Sequence, residues 1–129
     1  MRKLQLVAVV FLALLVLVGF NLSASATAHA QTTGMAECVH QPTIATLEAC
    51  VHHMSEMGLI NNHGVTLSLL AKLDSAENAL NHGHTASAIN KLNAFISEVR
   101  AQSGTSIVPM HAMQLVMHAQ LVINALENT

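Results

Sequence analysis

From Thr43 onward the apolar positions of this chain return every three or four residues, the period of a helix with one face turned inward. Ile44, Leu47, Val51 and Met54 form a first stripe with Cys50 beside it, and Gly58 closes the segment. After the polar link "NNHG", a second stripe of Leu69, Leu70, Leu73, Ala76 and Leu80 runs to Gly83. Thr85 then reads as an N-cap ahead of Ala88, Ile89, Leu92, Phe95, Ile96 and Val99, and Gly104 is placed to follow the last turn. A fourth segment starts near Pro109 and carries Ala112, Leu115, Val116, Ala119, Ile123 and Leu126 on one line. Nothing here alternates with period two for long enough to make a sheet. Short connections favour antiparallel neighbours. The pattern therefore predicts an all-α fold, a small antiparallel four-helix bundle over residues 43–127.

Residues 1–30 obey a different logic. Arg2 and Lys3 precede a run from Leu4 to Phe20 that is apolar apart from Gln5, followed by the small, polar "NLSASATAHA". Ala28-His29-Ala30 fits an A-x-A cleavage site, with Ala24-Ser25-Ala26 as a second option. This is the layout of a secretory signal peptide, and it predicts a secreted or cell-envelope location. The apolar run, about 17 residues, lies at the edge of what spans a bilayer. An uncleaved anchor is the alternative, and the one route to a membrane. Residues 31–42 then form an N-terminal extension carrying Cys38.

Charge and aromatic content narrow the partners. The chain carries a net charge of −2; without Arg2 and Lys3, three bases face seven acids, about −4. That leaves no basic footprint for nucleic acid and no polybasic membrane patch. Beyond residue 30, Phe95 is the one aromatic side chain besides the histidines, so there is no platform for stacking bases or sugars. The expected partner is a protein, or a copy of the chain itself.

Cys38 and Cys50 are the two cysteines, and export makes a disulfide the default. On one continuous helix they would stand about 18 Å apart, whereas a disulfide tolerates at most about 7 Å between Cα atoms. Pairing therefore requires Cys38 to lie outside the helix of Cys50 and fold back along it, with Pro42 as the turning point. A redox or metal-binding pair is the alternative, and the spacing matches no CxxC motif.

The segments "GLINNHGVTLSLLAKLDSAENAL", "GHTASAINKLNAFISEVRAQSG" and "AQLVINAL" closely resemble the FIMAH domain, a small helical module of secreted or surface-attached bacterial and archaeal proteins. The resemblance covers about Leu59 to Leu126 and is strongest in "SLLAKLD" and "AINKLNAFI". It implies an extracytoplasmic, non-catalytic accessory module, and it brings no catalytic residues with it. The "ECVHQP…EACVHHM" segment and the density of methionine and histidine lie outside that pattern.

Enzyme readings find little support. No GxSxG elbow, HExxH motif or glycine-rich phosphate loop is present. Glu37 and His40 make one ExxH, but helical di-iron sites need a second and further inward carboxylates. Asp74 and Glu77 read as a solvated face; Glu48, His52 and Glu56, four residues apart, read as surface pairing. His82 and His84 flank Gly83, where a falling pH would add positive charge. Asn93 lies away from the Leu92–Ile96 stripe and either bonds a loop carbonyl or faces water.

Beyond residue 30 the chain holds six methionines and eight histidines, and they cluster in "HHMSEM" and "MHAMQLVMHAQ". Thioether and imidazole are soft ligands that suit copper. At about 100° per residue, Met113 and Met117 share one face of the fourth helix, whereas His111 and His118 lie about 10.5 Å apart along it. The helix alone offers a two-sulfur site at best, to be completed by His53, Met54 or Met57. Methionine is also adaptable packing material. Met110, Met113, Met117 and Leu121 form a second apolar stripe on the far side from the Leu115 ridge, and a helix apolar on two faces is either deeply buried or turned toward a partner. Three readings of that stripe stand open: packing within the bundle, a docking surface with no cofactor, and a copper site.

Overall fold

A computed structural model describes residues 41–129. The predicted signal peptide, the extension through His40 and Cys38 lie outside the described residues. Within them the chain forms four helices and no strand: α1 (Ile44–Glu56), α2 (His63–Asn81), α3 (Thr85–Gln102) and α4 (Pro109–Glu127). No helix among the described residues is long and apolar enough to cross a membrane.

Local chemistry sets where each helix begins. Thr43 caps α1 through a reciprocal pair: its hydroxyl accepts from the Thr46 amide at 3.2 Å, and the Thr46 hydroxyl accepts from the Thr43 amide at 3.2 Å. The Thr46 amide, an orphan of the first turn, gains a partner this way, and the Thr43 amide is shared with the Gln41 carbonyl at 2.9 Å. Asn62 caps α2, its Oδ1 accepting from Gly64 at 2.9 Å and Val65 at 3.3 Å. Pro109 opens α4, where its missing N–H costs nothing. The start of α3 departs from expectation. His84 precedes the helix, Thr85 is its first residue, and no side chain caps it. The turn through Gly83, at φ 74°, brings the backbone into helical geometry one residue early.

The inner faces follow the apolar period. Leu47, Val51, Leu69, Leu73, Ala76, Ala88, Leu92, Phe95, Val99, Leu115 and Ala119 are buried in a single core. Leu70, Leu80, Ile89, Val116 and Leu126, expected on the stripes, are half-buried at its margin; Val122 and His118 take up interior positions on α4. The helices touch in a closed ring, α1 to α2 to α3 to α4 and back to α1. Each helix thus has neighbours on two sides and the core between, and its remaining face is left outside.

Two links lock the ring at one end. Ile60, before α2, and Ile107, before α4, are buried opposite one another. The Asn61 amide donates to the Ser106 carbonyl at 2.9 Å, and the Val108 amide donates to the Leu59 carbonyl at 3.0 Å. This backbone clip joins links some forty-five residues apart in sequence and fixes where α4 starts. Between α2 and α3, Lys72 pairs with Glu98 at 2.6 Å, and Ser68 bonds both.

Candidate docking surface

The two faces of α4 are set about half a turn apart by their spacing. Ala112, Leu115, Ala119 and Ile123 enter the core, which turns Met110, Met113, Met117 and Leu121 directly away from it. Those four are 64 %, 66 %, 57 % and 42 % exposed. They follow one another at spacings of three, four and four residues, so their side chains form an unbroken line about three turns long. No Asp, Glu, Lys or Arg occurs between Arg100 and Glu127, and the line is flanked by Gln114, Gln120 and Asn124. An exposed apolar row without a single charge is unusual on a small helical protein, where outer faces are normally solvated by charged side chains.

Beside this row runs a shallow groove of about 380 Å³ between the end of α3 and the start of α4. Pro109, Ala112, Met113 and Val116 line its apolar wall; Ser103 and Arg100 line the other. Met113 belongs to both groove and row, so the two form a continuous surface.

The other methionines fall elsewhere. Met54 is buried in the core on α1, Met57 is exposed at the end of that helix, and His53 is half-buried between them. Met113 and Met117 are one turn apart on the outer face, while Met54 lies on the inward side of a different helix. The structure therefore brings two of the five candidate soft ligands together and does not bring Met54 to them. Among the described residues no three of His, Cys, Asp and Glu are grouped to hold a metal ion.

His118 has a place that its sequence pairing with His111 did not reveal. It is 5 % exposed, on the seam between α4 and α1. Its Nε2 lies 3.2 Å from the Thr46 hydroxyl, and its Nδ1 lies 3.9 Å from the Cys50 sulfur. The single proton of the Thr46 hydroxyl is shared between the Gln41 carbonyl at 2.6 Å and the Thr43 carbonyl at 2.9 Å, and the oxygen accepts from the Thr43 amide, which leaves one lone pair facing His118. Burial holds the His118 pKa below the ordinary value, against an opposing hydrogen bond to the Gln41 backbone. No residue pattern announces this position; the one signal is a histidine lying at the edge of an apolar stripe.

On the α1–α2 side, burial pushes the Glu48 carboxyl up; Glu77 and Asp74 add to the rise and His52 opposes it. His82 and His84 stack at 6.5 Å with rings nearly parallel, at the end of the α2–α3 hairpin. His82 Nδ1 is 2.8 Å from the Asn78 carbonyl and donates to it. Asn90 and Asn93 are exposed, and the Asn93 carbonyl accepts from Ser97 at 2.9 Å.

The family model described as FIMAH domain matches residues 44–124 of this chain. That range takes in the whole of α1, which the quoted resemblance from Leu59 onward had left out. No curated protein and no solved structure matches the chain.

Proposed function

The chain belongs to the FIMAH domain family, and on that footing we propose that it works as an exported, non-catalytic accessory module whose four helices run antiparallel and which docks a protein partner through the outer flank of α4. The observation that carries this reading is the uncharged row of Met110, Met113, Met117 and Leu121, exposed along a helix whose opposite face seals the core. Large apolar side chains in a continuous exposed row gain free energy when a second surface covers them. Methionine suits this work, because its flexible thioether adapts to a facing surface.

Export rests on the signal-like residues 1–30, and it favours a clip between Cys38 and Cys50. The fold around α1 supports that clip: the Gln41 carbonyl is held by Thr46, and Cys50 lies one turn further along the same helix. We assign neither a catalytic role nor a cofactor, on the strength of the missing motifs and the low charge. The same low charge argues against nucleic acid.

Methionine oxidation tests the docking reading, because peroxide converts exposed thioethers to sulfoxides and a covering surface slows it. In the purified, dilute protein, Met110, Met113, Met117 and Met57 are expected to oxidise together, ahead of Met54. In the complete exported mixture, Met110, Met113 and Met117 are expected to be protected while Met57 stays reactive. Equal oxidation of Met57 and Met113 in both settings contradicts docking.

One observation favours a rival: the Met113 and Met117 sulfurs are neighbours on an exposed face, as a Cu(I) site would need. Titration of the purified protein with Cu(I) against a competing chelator decides it. Saturable binding lost in Met113→Leu would replace docking with metal carriage.

A further inference from the structure

We propose that the occupant of the α4 flank is a second copy of this chain, its α4 laid antiparallel along the first so that Arg100 of each copy meets Glu127 of the other. This inference rests on the docking reading and names its partner.

Charge favours a second copy. Between Arg100 and Glu127 the chain has no ionised side chain other than histidine, so a strongly acidic or basic partner finds no counter-charge along the row. Two copies of the row, by contrast, come together without desolvating any carboxylate or ammonium group, a step that would otherwise oppose association.

The register of the row is self-complementary. With a two-fold axis passing midway between Leu115 and Val116, Met110 of one copy stands opposite Leu121 of the other, and Met113 comes within one residue, about 1.5 Å, of level with Met117. The same patch serves both partners, as an isologous contact requires. The three- and four-residue spacing lets the side chains of one row settle between those of the other.

The ends of the helices identify the partner most specifically. The same register carries the last turn of one α4, with Glu127, past Pro109 of the other. There lies the groove lined by Arg100, Ser103, Pro109, Ala112, Met113 and Val116, in which Arg100 is the one charged group. Glu127 lies about 20° around α4 from Val116, on the groove side of the helix. A two-fold axis perpendicular to the helices keeps that side facing the same side of the partner. Arg100 and Glu127 are exposed, and neither is in an ion pair among the described residues. The two-fold makes this contact twice.

Area sets the strength. Four side chains averaging more than half exposed offer on the order of 400 Å² per copy, to which the groove walls add. Over both copies that is about 800 Å² before the groove walls are added, below the roughly 1,200–2,000 Å² of stable specific interfaces, so the dimer is a weak one that forms at high protein concentration, and salt weakens its charged rim.

The test is sedimentation equilibrium of the purified protein at low salt over a concentration series, with Arg100→Glu, Glu127→Arg and the double variant. The wild type is expected to dimerise. Each single variant is expected to raise the dimer Kd by about tenfold, since each spoils two rim pairs, and the double variant is expected to restore it to within about threefold. Denaturation midpoints should be unchanged throughout, both positions being exposed. A wild type monomeric at every concentration overturns the proposal, as does a dimer indifferent to both single variants. If such a monomer still has Met113 and Met117 shielded in the exported mixture, self-pairing fails alone and docking of another protein stands.

Discussion

Leu115 and Met117 stand two residues apart on α4 and meet opposite surroundings. Leu115 is packed on all sides by the ring of helices, while Met117 is turned to the outside with more than half its surface free. Both are large and apolar, and both lie on a face with helical period. What separates them is the closed order of contacts, in which α4 packs on α3 and α1 and on no further helix among the described residues. A ring of four helices has one interior and four outer faces. The outer face of α4 is the one whose row of large side chains is wholly apolar. Hydrophobic period alone marks a face that prefers to leave water; the packing decides whether the chain itself supplies the cover.

The largest effect that sharpens this contrast is truncation on the inner side. Leu115→Ala is expected to lower unfolding free energy by about 2–5 kcal/mol, because it leaves a cavity among fully packed neighbours. Met117→Ala should change it by no more than about 0.5 kcal/mol, the usual range for surface positions. Urea denaturation at neutral pH reads both. A Met117 variant that lost stability like a core variant would break the distinction.

His118 gives an intermediate effect. Its folded pKa lies below the ordinary value because the charged form is buried. Between the ordinary value, about 6.5, and the depressed one, the unfolded chain binds a proton that the folded chain does not. Stability is therefore full above about pH 6.5 and falls as the pH drops toward the folded pKa. Replacing His118 with Gln should flatten that part of the profile, and thermal melts from pH 7.5 to pH 5 would show it. His111→Gln is the control from the same helix.

The smallest effect is at Glu48, where the sign is reversed. Burial first, then Glu77 and Asp74, hold its pKa above 4.5. The folded chain keeps a proton there that the unfolded chain has lost, so stability falls as pH rises from 4.5 through the folded pKa. Glu48→Gln should raise the melting temperature slightly at pH 7 and leave it unchanged near pH 4.

Much of this arrangement was legible in the residues. The inward stripes of all four helices, the glycines that end the first three, and the second apolar row on α4 all follow from local spacing. The fate of that row did not, because packing, docking and metal binding place the same demands on local sequence. Nothing local sets His118 apart from His111, and its burial depends on Gln41 and Thr46, more than seventy residues upstream. Ile60 and Ile107 belong to links, outside any stripe, and their mutual burial is a long-range event. Arg100 became interesting when α3 and α4 packed to leave a groove beside it. In each case the missing information was tertiary.

The central claim is that the sulfur-bearing flank of α4 serves contact with another surface and contributes little to the fold. The most direct measurement is a paired one on Met113→Glu/Met117→Glu: its denaturation midpoint and its association by sedimentation, beside the wild type. The account predicts an unchanged midpoint together with loss of association. A variant that unfolds as readily as Leu115→Ala, or one that associates as the wild type does, would contradict it.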